Sequence, residues 1–282
     1  MNVELRHLRA LAAIGDAGTI TGAAAALHVT QPALSRTLGQ LEARLGAKLV
    51  ERTTRSLVLT PAGLRLQERA HRLLNELDEA LAEVAGGPRP LRVGFAWATL
   101  GELTVPLFQR WREANPDSPV RLHRCPEPDA ALRRAEVDVA FLRTEPPPAP
   151  DFVAVALFRE PRVAAVAEHD PLAASGAVRL ADLADRTVAV CETAATSGAA
   201  LWPPQHRPAT ADVANVDEWL TEIAIGDVVG VTAESTRHSH PYPGVRYLPI
   251  SDADPLTVHL VQPRVPTHPG TDAFREHVLR SL

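Results

Sequence analysis

The strongest constraint on how this chain can fold is a change in the periodicity of its apolar residues at Gly86, Gly87 and Pro88. Before these residues, apolar side chains recur at steps of three and four positions, the spacing of amphipathic helices. After them, short apolar runs alternate with helical segments, as in α/β folds with a largely parallel sheet. The 282 residues therefore predict two or three domains, with a boundary near residue 88.

Two of the predicted N-terminal helices are separated by a very short turn. We expect Thr21 to cap an alanine-rich helix that ends near Leu27, and Thr30 to cap a second helix that ends at Gly46. Pro32 fits the first turn of that second helix, where its missing N–H costs nothing. The apolar stripe of this helix consists of Leu34, Leu38, Leu41 and Leu45. The pattern is that of a helix-turn-helix, whose second helix can enter a DNA major groove.

A short two-stranded wing and a long helix follow. Apolar residues at 49–50 and 57–59 bracket a basic tip that contains Arg52 and Arg55. The long helix opens at Pro61 and carries apolar residues at alternating steps of four and three, the spacing of a coiled-coil seam. The predicted seam is formed by Leu66, Ala70, Leu73, Leu77, Ala80 and Val84. We expect the seam to pair with a second copy of the chain; packing against its own domain is the alternative.

Charge is divided unevenly along the chain. Residues 1–72 have a net charge of +5 and the remaining 210 residues −10, which gives −5 overall. This asymmetry indicates a polyanionic partner for the first region. The chain has no apolar run of the roughly 18 residues that a membrane span needs, no signal-peptide pattern at its start, and two cysteines, Cys125 and Cys191. We therefore expect a cytoplasmic protein with no membrane partner.

Residues 5–81 resemble the N-terminal region of the LysR-type transcriptional regulators. The resemblance is carried by LRHLRAL, AAAALHVTQPALSRTLGQLEARLGAKLVERT and LVLTPAG, and more weakly beyond residue 90 by LRVGFA, VDVAFLR and DPLA. It implies an α+β multidomain chain, with a winged helix-turn-helix over 1–60 and a long coiled-coil linker helix for dimerisation over 61–87. An α/β two-lobed, periplasmic-binding-protein-like (type 2) effector domain over 91–282 would follow. Its first lobe would cover about 91–160 and 262–282, and its second about 161–261.

The resemblance implies a sequence-specific DNA-binding regulator that is controlled by a small-molecule effector. The implied partners are double-stranded DNA at an inverted-repeat promoter site, further copies of the chain in a homodimer or tetramer, and RNA polymerase. The predicted DNA contacts are Thr30, Gln31, Pro32, Ser35, Arg36, Gln40, Arg52 and Arg55. A glutamine amide can bond to adenine N6 and N7, whereas arginines on a wing would meet phosphates. Gly22 and Gly39 depart from the basic or bulky polar residues often found at these positions, so we expect modest non-specific affinity.

Ligands of open α/β sheets bind at the carboxyl ends of strands. Three strand ends match stretches that line the effector cleft in the family. Their candidate ligand-binding residues are Ala98, Thr99, Arg143, Thr144, Thr193, Thr196 and Ser197. Phe95 and Trp97 make the first of these loops apolar, which disfavours a hydrophilic anion and admits an aromatic or apolar ligand. Asp217 is expected to cap a helix, with a place near the cleft as the alternative.

The chain also carries residues that would suit other functions. His206, His238 and His240 could hold a metal, but a solvated surface is favoured; Cys191 could sense oxidants, but a buried structural role is favoured. The sequence carries no hydrolase, phosphate-loop, dinucleotide or zinc-protease motif, so we expect neither an enzyme nor a cofactor. A ligand-independent DNA-binding protein and a small-molecule binding protein remain as rivals. Gel shifts with genomic DNA and thermal stability across a metabolite panel would separate them.

Overall fold

The computed structural model describes residues 3–52, 57–84, 89–146, 150–191 and 198–282. They form two compact units, one built from the chain up to Arg89 together with Arg133–Glu136, and one built from the rest. None of the described helices combines the length and the apolar character that a bilayer crossing requires.

The first unit is a winged helix-turn-helix followed by a long helix. Its elements are α1 (Leu5–Ala17), α2 (Ile20–Ala26), α3 (Gln31–Leu45), β1 (Val50–Arg52), β2 (Leu57–Leu59) and α4 (Pro61–Val84). Leu34, Leu38 and Leu41 bury the predicted stripe of α3 against α1 and α2. The cap of α2 corrects the sequence analysis: Thr19, and not Thr21, accepts a hydrogen bond from Gly22 N. Helix α2 therefore begins at Ile20, two residues before the start that a cap at Thr21 implies, directly after Gly18 ends α1 in the left-handed conformation.

The ends of α3 and α4 follow from local chemistry. Thr30 is the N-cap of α3 by backbone conformation, and Gly46, at φ 65°, ends the helix in the left-handed region that glycine adopts without cost. The Thr60 hydroxyl accepts from Gly63 N and so caps α4. A Cβ on Gly63 would lie 2.0 Å from the carbonyl oxygen of Leu49, so this close crossing of α4 and the wing requires glycine.

The second unit consists of two lobes, each with a five-stranded sheet. Its strands are β3 (Leu91–Phe95), β4 (Val120–Arg124), β5 (Val139–Leu142), β6 (Phe152–Glu160), β7 (Arg162–Ala167), β8 (Thr187–Cys191), β9 (Ala209–Val213), β10 (Val229–Ala233), β11 (Val245–Pro249) and β12 (Leu256–Pro263). Its helices are α5 (Thr104–Ala114), α6 (Pro128–Arg133), α7 (Val216–Ile225), α8 (Ser235–Ser239) and α9 (Thr271–Ser281). The first lobe has the strand order β4-β3-β5-β12-β6, and the second β11-β7-β10-β8-β9.

Both sheets are mixed, which corrects the expectation of a largely parallel arrangement. Strands β3, β4 and β5 pair in parallel, as do β8, β9 and β10. Strands β12 and β7 instead run antiparallel to both of their neighbours. These two strands are the ones that directly enter a lobe from the other, so no crossover helix returns them to the parallel direction.

The chain crosses between lobes at Pro161 and again before Leu256. The expectation that residues 256–261 belong to the second lobe is wrong. Strand β12 pairs along its length with β6, from Leu256 opposite Glu160 to Pro263 opposite Phe152, and therefore belongs to the first sheet. The error arises because an apolar strand has the same pattern in either sheet, and pairing across about 100 residues decides between them.

Candidate DNA-binding and effector sites

The face of α3 opposite its buried leucines is polar and exposed. Gln31, Pro32, Arg36 and Gln40 are exposed on it, and Ser35 is half-buried. Arg36 Nε donates to the carbonyl oxygen of Pro32 at 3.3 Å, which leaves the guanidinium on the helix surface. Thr30, at the start of the helix, is also exposed, and its hydroxyl makes no cap hydrogen bond. The six predicted residues from Thr30 to Gln40 therefore share one short helical segment.

A buried carboxylate that the sequence analysis missed links α3 to the wing. Glu42 accepts hydrogen bonds from Lys48 Nζ at 2.7 Å, Leu49 N at 2.9 Å and Val50 N at 3.3 Å. Burial alone would raise the pKa of Glu42, but these hydrogen bonds outweigh it and the pKa is lowered. A glutamate between leucines on the core face of a helix was the available signal. Arg52 lies at the end of β1, opposite Leu57; its side chain, and the whole of Arg55, lie outside the described residues.

Helix α4 presents its predicted seam in two different ways. Ala70 is 0% exposed and Leu66 packs against the core of the first unit, so Ala70 is unavailable to a second copy. Leu73 is 52% exposed and Val84 90% exposed, with Ala80 exposed and Leu77 half-buried. The N-terminal part of the seam thus takes the alternative of packing within its own domain. Helix α1 packs on this part of α4, and its Asp16 accepts a hydrogen bond from Gln67 Nε2 at 3.0 Å and lies 3.0 Å from His71 Nε2.

The loop after β3 enters the second lobe. Trp97, 3% exposed, packs among core residues of the second lobe, and its Nε1–H donates to Thr236 Oγ1 at 2.6 Å. Its ring meets that of Trp219 edge to face, with centroids 6.0 Å apart, and lies 5.3 Å from the ring of His240. Burying an indole removes roughly 150–250 Å² from water, which stabilises by about 4–6 kcal/mol at ~25 cal/mol/Å². Trp97 is thus a major contact between the lobes.

Arg143, predicted to bind ligand, is occupied within the chain. It donates to Glu160 Oε2 at 2.7 Å, to the carbonyl oxygens of Trp97 and Thr99 at 2.8 Å each, and to Ser235 Oγ at 2.9 Å. Four of its five N–H groups are therefore used. Glu160 also accepts from Ser235 N at 2.7 Å. Arg143 therefore has little capacity to bind a ligand, because its guanidinium is held by Glu160, by Ser235 and by the backbone carbonyls of the Trp97 loop.

The other predicted ligand-binding residues differ in their exposure, and some lie outside the described residues. Ala98 and Thr99 are buried, with φ of 46° and 27°, in the left-handed region that residues other than glycine rarely adopt. Thr144 is exposed and lines a cavity of about 110 Å³ with Trp97, Glu127 and Arg143. Thr193, Thr196 and Ser197 lie outside the described residues. Asp217 does not cap α7, since Asn215 Oδ1 accepts from Glu218 N.

The histidine and cysteine hypotheses gain no support from the geometry. His238 Nδ1 lies 2.9 Å from Glu102 Oε1, and the His240 ring contacts that of Trp97 at an angle of 44°. Burial, and then the charge of Arg124, lower the pKa of His240. Across the described ranges, no group of three or more His, Cys, Asp or Glu side chains could hold a metal ion. Cys191 is buried in the core of the second lobe.

Comparison with known proteins matches both units. Residues 5–64 match the family described as bacterial regulatory helix-turn-helix protein, lysR family, and residues 85–282 match the LysR substrate binding domain. The chain belongs to the LysR family. It is a DNA-binding transcriptional regulator with an effector-binding domain, and the expected fold class is confirmed.

Individual relatives of this LysR-family chain span nearly its whole length. The small neutral protease regulatory protein of Streptomyces coelicolor is 35% identical over 280 residues, which cover 93% of this chain and 81% of that protein. CbnR, a LysR family transcriptional regulator of known structure, has a TM-score of 0.65 and 24% identity over 99% of both chains. A structure of CbnR complexed with its target DNA has a TM-score of 0.61 and 23% identity, with 99% of this chain and 100% of that chain covered. At these identities the two structures establish the fold.

Gly22 and Gly39, the two departures noted in the sequence of this LysR-family chain, have different surroundings in the structure. A Cβ on Gly22 would lie 2.9 Å from Thr19 Oγ1, so this glycine is explained by the cap of α2. Gly39 is exposed, and a Cβ there would meet no described atom within 4 Å. Nothing in the structure requires a glycine at position 39.

Proposed function

We propose that this LysR-family regulator reads DNA through the exposed face of α3 and that an effector bound between its lobes alters that binding. The observation that carries the proposal is the polar face formed by Gln31, Ser35, Arg36 and Gln40, opposite the buried leucines of a capped helix. A helix so anchored can present its N-terminal side chains to base edges without an ordering cost for its backbone. The net charge of +5 over residues 1–72 favours the approach to DNA.

Glu42 has a supporting role in this proposal. Because it bonds to the backbone N–H groups of Leu49 and Val50, it fixes the start of the wing relative to α3. A wing held in this way would place Arg52 and Arg55 near the phosphates that flank the groove. Phosphate contacts of this kind set the register of the recognition helix on the duplex.

We further propose that two copies pair through the C-terminal half of α4. Leu73, Leu77, Ala80 and Val84 are the seam residues left for a partner once Leu66 and Ala70 are satisfied within the protomer. A symmetric pair would present two α3 helices to the two halves of an inverted repeat. Whether two such dimers form a tetramer depends on the effector domains.

The proposal also includes expectations about catalytic activity, cellular location and the effector site. The matched relatives are transcriptional regulators, and we propose no catalytic activity for this chain. We propose that it acts on promoters in the cytoplasm, with RNA polymerase as a further partner. The effector is proposed to bind between the lobes, where the loop that carries Trp97 leaves the first lobe and packs in the second.

The test is recovery of genomic fragments by the purified full-length protein. Wild type is compared with Gln31→Ala and Arg36→Ala, and with Arg110→Ala, an exposed arginine of α5, as the control for charge. We expect inverted-repeat sites to be enriched by wild type and by the control, and lost in both α3 variants. Equal enrichment by all four proteins would contradict the assignment of α3 as the reading helix.

A further inference from the structure

The site between the lobes already contains an aromatic ring, and the ring belongs to the protein. Trp97 leaves the first lobe after β3, and its indole enters a pocket of the second lobe. Ala165 of β7 and Ala189 of β8 are among the small residues of that pocket, which leave room for a bicyclic ring. Trp219 contacts the ring edge to face, and Thr236 Oγ1 accepts its N–H at 2.6 Å. The pocket therefore matches indole in size, flatness and hydrogen bonding.

The backbone that carries the indole is strained. Ala98 and Thr99 both have positive φ, and two consecutive non-glycine residues in this region are unfavourable. The strain persists because Arg143 binds the carbonyl oxygens of Trp97 and Thr99, and because the indole is buried. Removal of the ring from its pocket would let the loop relax.

We propose that Trp97 is a built-in occupant of the interlobe site, and that the effector is a flat aromatic molecule of about indole's size with an N–H or O–H donor. Such a molecule takes the place of the Trp97 side chain against Trp219 and donates to Thr236 Oγ1. The displaced loop then releases its strain and alters the contacts that join the lobes. This inference rests on the proposed function, in which the effector binds between the lobes.

The experiment replaces the tethered ring with a free one. Full-length Trp97→Gly is titrated with indole by calorimetry, and its melting temperature is followed over the same concentrations. We expect indole to bind Trp97→Gly and to raise its melting temperature with concentration, as mass action requires, while wild type does not respond over that range. Benzofuran, which lacks the N–H, should bind about fivefold to tenfold more weakly, the factor that one neutral hydrogen bond contributes.

Hydrogen exchange is the second measurement, and it locates the bound indole. Hydrogen exchange over 97–103 and 234–240 should be faster in Trp97→Gly than in wild type and should slow again with indole. Trp202→Gly is the matched control, because Trp202 is a buried tryptophan of the second lobe whose Nε1–H donates to the carbonyl of Leu180. If Trp202→Gly exposes the two segments to the same extent, the effect is general loosening of the lobe and the proposal fails.

Other results with Trp97→Gly also support or overturn the proposal. A folded Trp97→Gly that binds no indole up to the solubility limit overturns the proposal. If Trp97→Gly is unfolded alone, refolding with indole supports the proposal and failure to refold overturns it. Fragment recovery by wild-type protein tests DNA reading separately, since α3 lies in the other compact unit. A negative result there leaves the indole result intact.

Discussion

Arg143 and Glu160 form an ion pair with 2.7 Å between Nε and Oε2, and their side chains are 5% and 6% exposed. The pair joins the end of β5 to the last residue of β6, where the chain crosses to the second lobe. Glu160 also accepts from Ser235 N, and Arg143 donates to Ser235 Oγ. The crossing is therefore held by a nearly dry polar network, in which each charge depends on the other.

Arg143→Ala should strongly destabilise the effector domain. The substitution leaves the Glu160 carboxylate buried without its cation, which costs about 3–5 kcal/mol in comparable pairs. Urea unfolding followed by tryptophan fluorescence measures this, because all four tryptophans lie between residues 97 and 219. Arg159→Ala, at an exposed neighbour of the pair, should change the free energy of unfolding by less than about 0.5 kcal/mol. Similar losses of unfolding free energy in Arg143→Ala and Arg159→Ala would show that the ion pair contributes little to stability.

Gly39→Ala should stabilise the first unit by about 0.5–1 kcal/mol, since alanine is favoured over glycine in a helix interior and a Cβ at this position meets open space. Gly22→Ala should have the opposite effect, because its Cβ would crowd the Thr19 hydroxyl that caps α2. Native-state hydrogen exchange at the amides of α1 resolves both changes from the second unit. Equal changes in exchange protection in Gly39→Ala and Gly22→Ala would contradict the different roles assigned to the two glycines.

Glu42 should make the attachment of the wing depend on pH. Its pKa in the folded chain is lowered from the ordinary 4.5, so its stabilisation is fully present above that value and is lost as the pH falls through the lower folded pKa. Exchange protection at the amides of Leu49 and Val50 should decline over this acidic range. Glu42→Gln should weaken protection at neutral pH and remove the pH dependence. If exchange protection in Glu42→Gln still declined as the pH fell, the pH dependence would belong to another titratable group.

Dimerisation should depend on the exposed half of the α4 seam. Leu73→Asp places a charge where we expect two copies to meet, and sedimentation equilibrium should show a shift from dimer to monomer. Leu64→Asp is the matched control, because Leu64 is 51% exposed on the same helix but lies off the seam. Dissociation by Leu64→Asp alone would place the interface on a different face of α4.

The salt dependence of DNA binding should identify the phosphate contacts. Each phosphate neutralised contributes about −0.9 to the slope of log K against log salt concentration. If Arg36 contacts a phosphate, Arg36→Ala reduces the slope by about that amount per subunit, whereas a base contact reduces specificity instead. Gly39→Arg should add to the slope, because position 39 lies exposed beside Gln40. An unchanged slope in Gly39→Arg would place this turn of α3 away from the backbone.

The sequence by itself determined the helical unit and its boundary. The leucine stripe of α3, the cap glycine at 46 and the end of α4 before Gly86 are set by neighbours within a few residues, where helix periodicity and capping act. It also limited the candidates for DNA reading to a few residues of α3. It did not reveal Glu42 as an anchor, because a carboxylate that bonds to the Lys48 ammonium and to the backbone N–H groups of Leu49 and Val50, six to eight residues away, has no periodic signature.

The tertiary structure decided everything that depends on distant partners. Ala70 could face a second copy or its own α1, and the packing of α1 on α4 resolved that choice. Strand β12 could belong to either lobe until its pairing with β6 was known. Trp97 is 139 residues from Thr236, and Arg143 is 92 residues from Ser235. Local pattern carries no information about such contacts, because their geometry arises when two sheets are brought together.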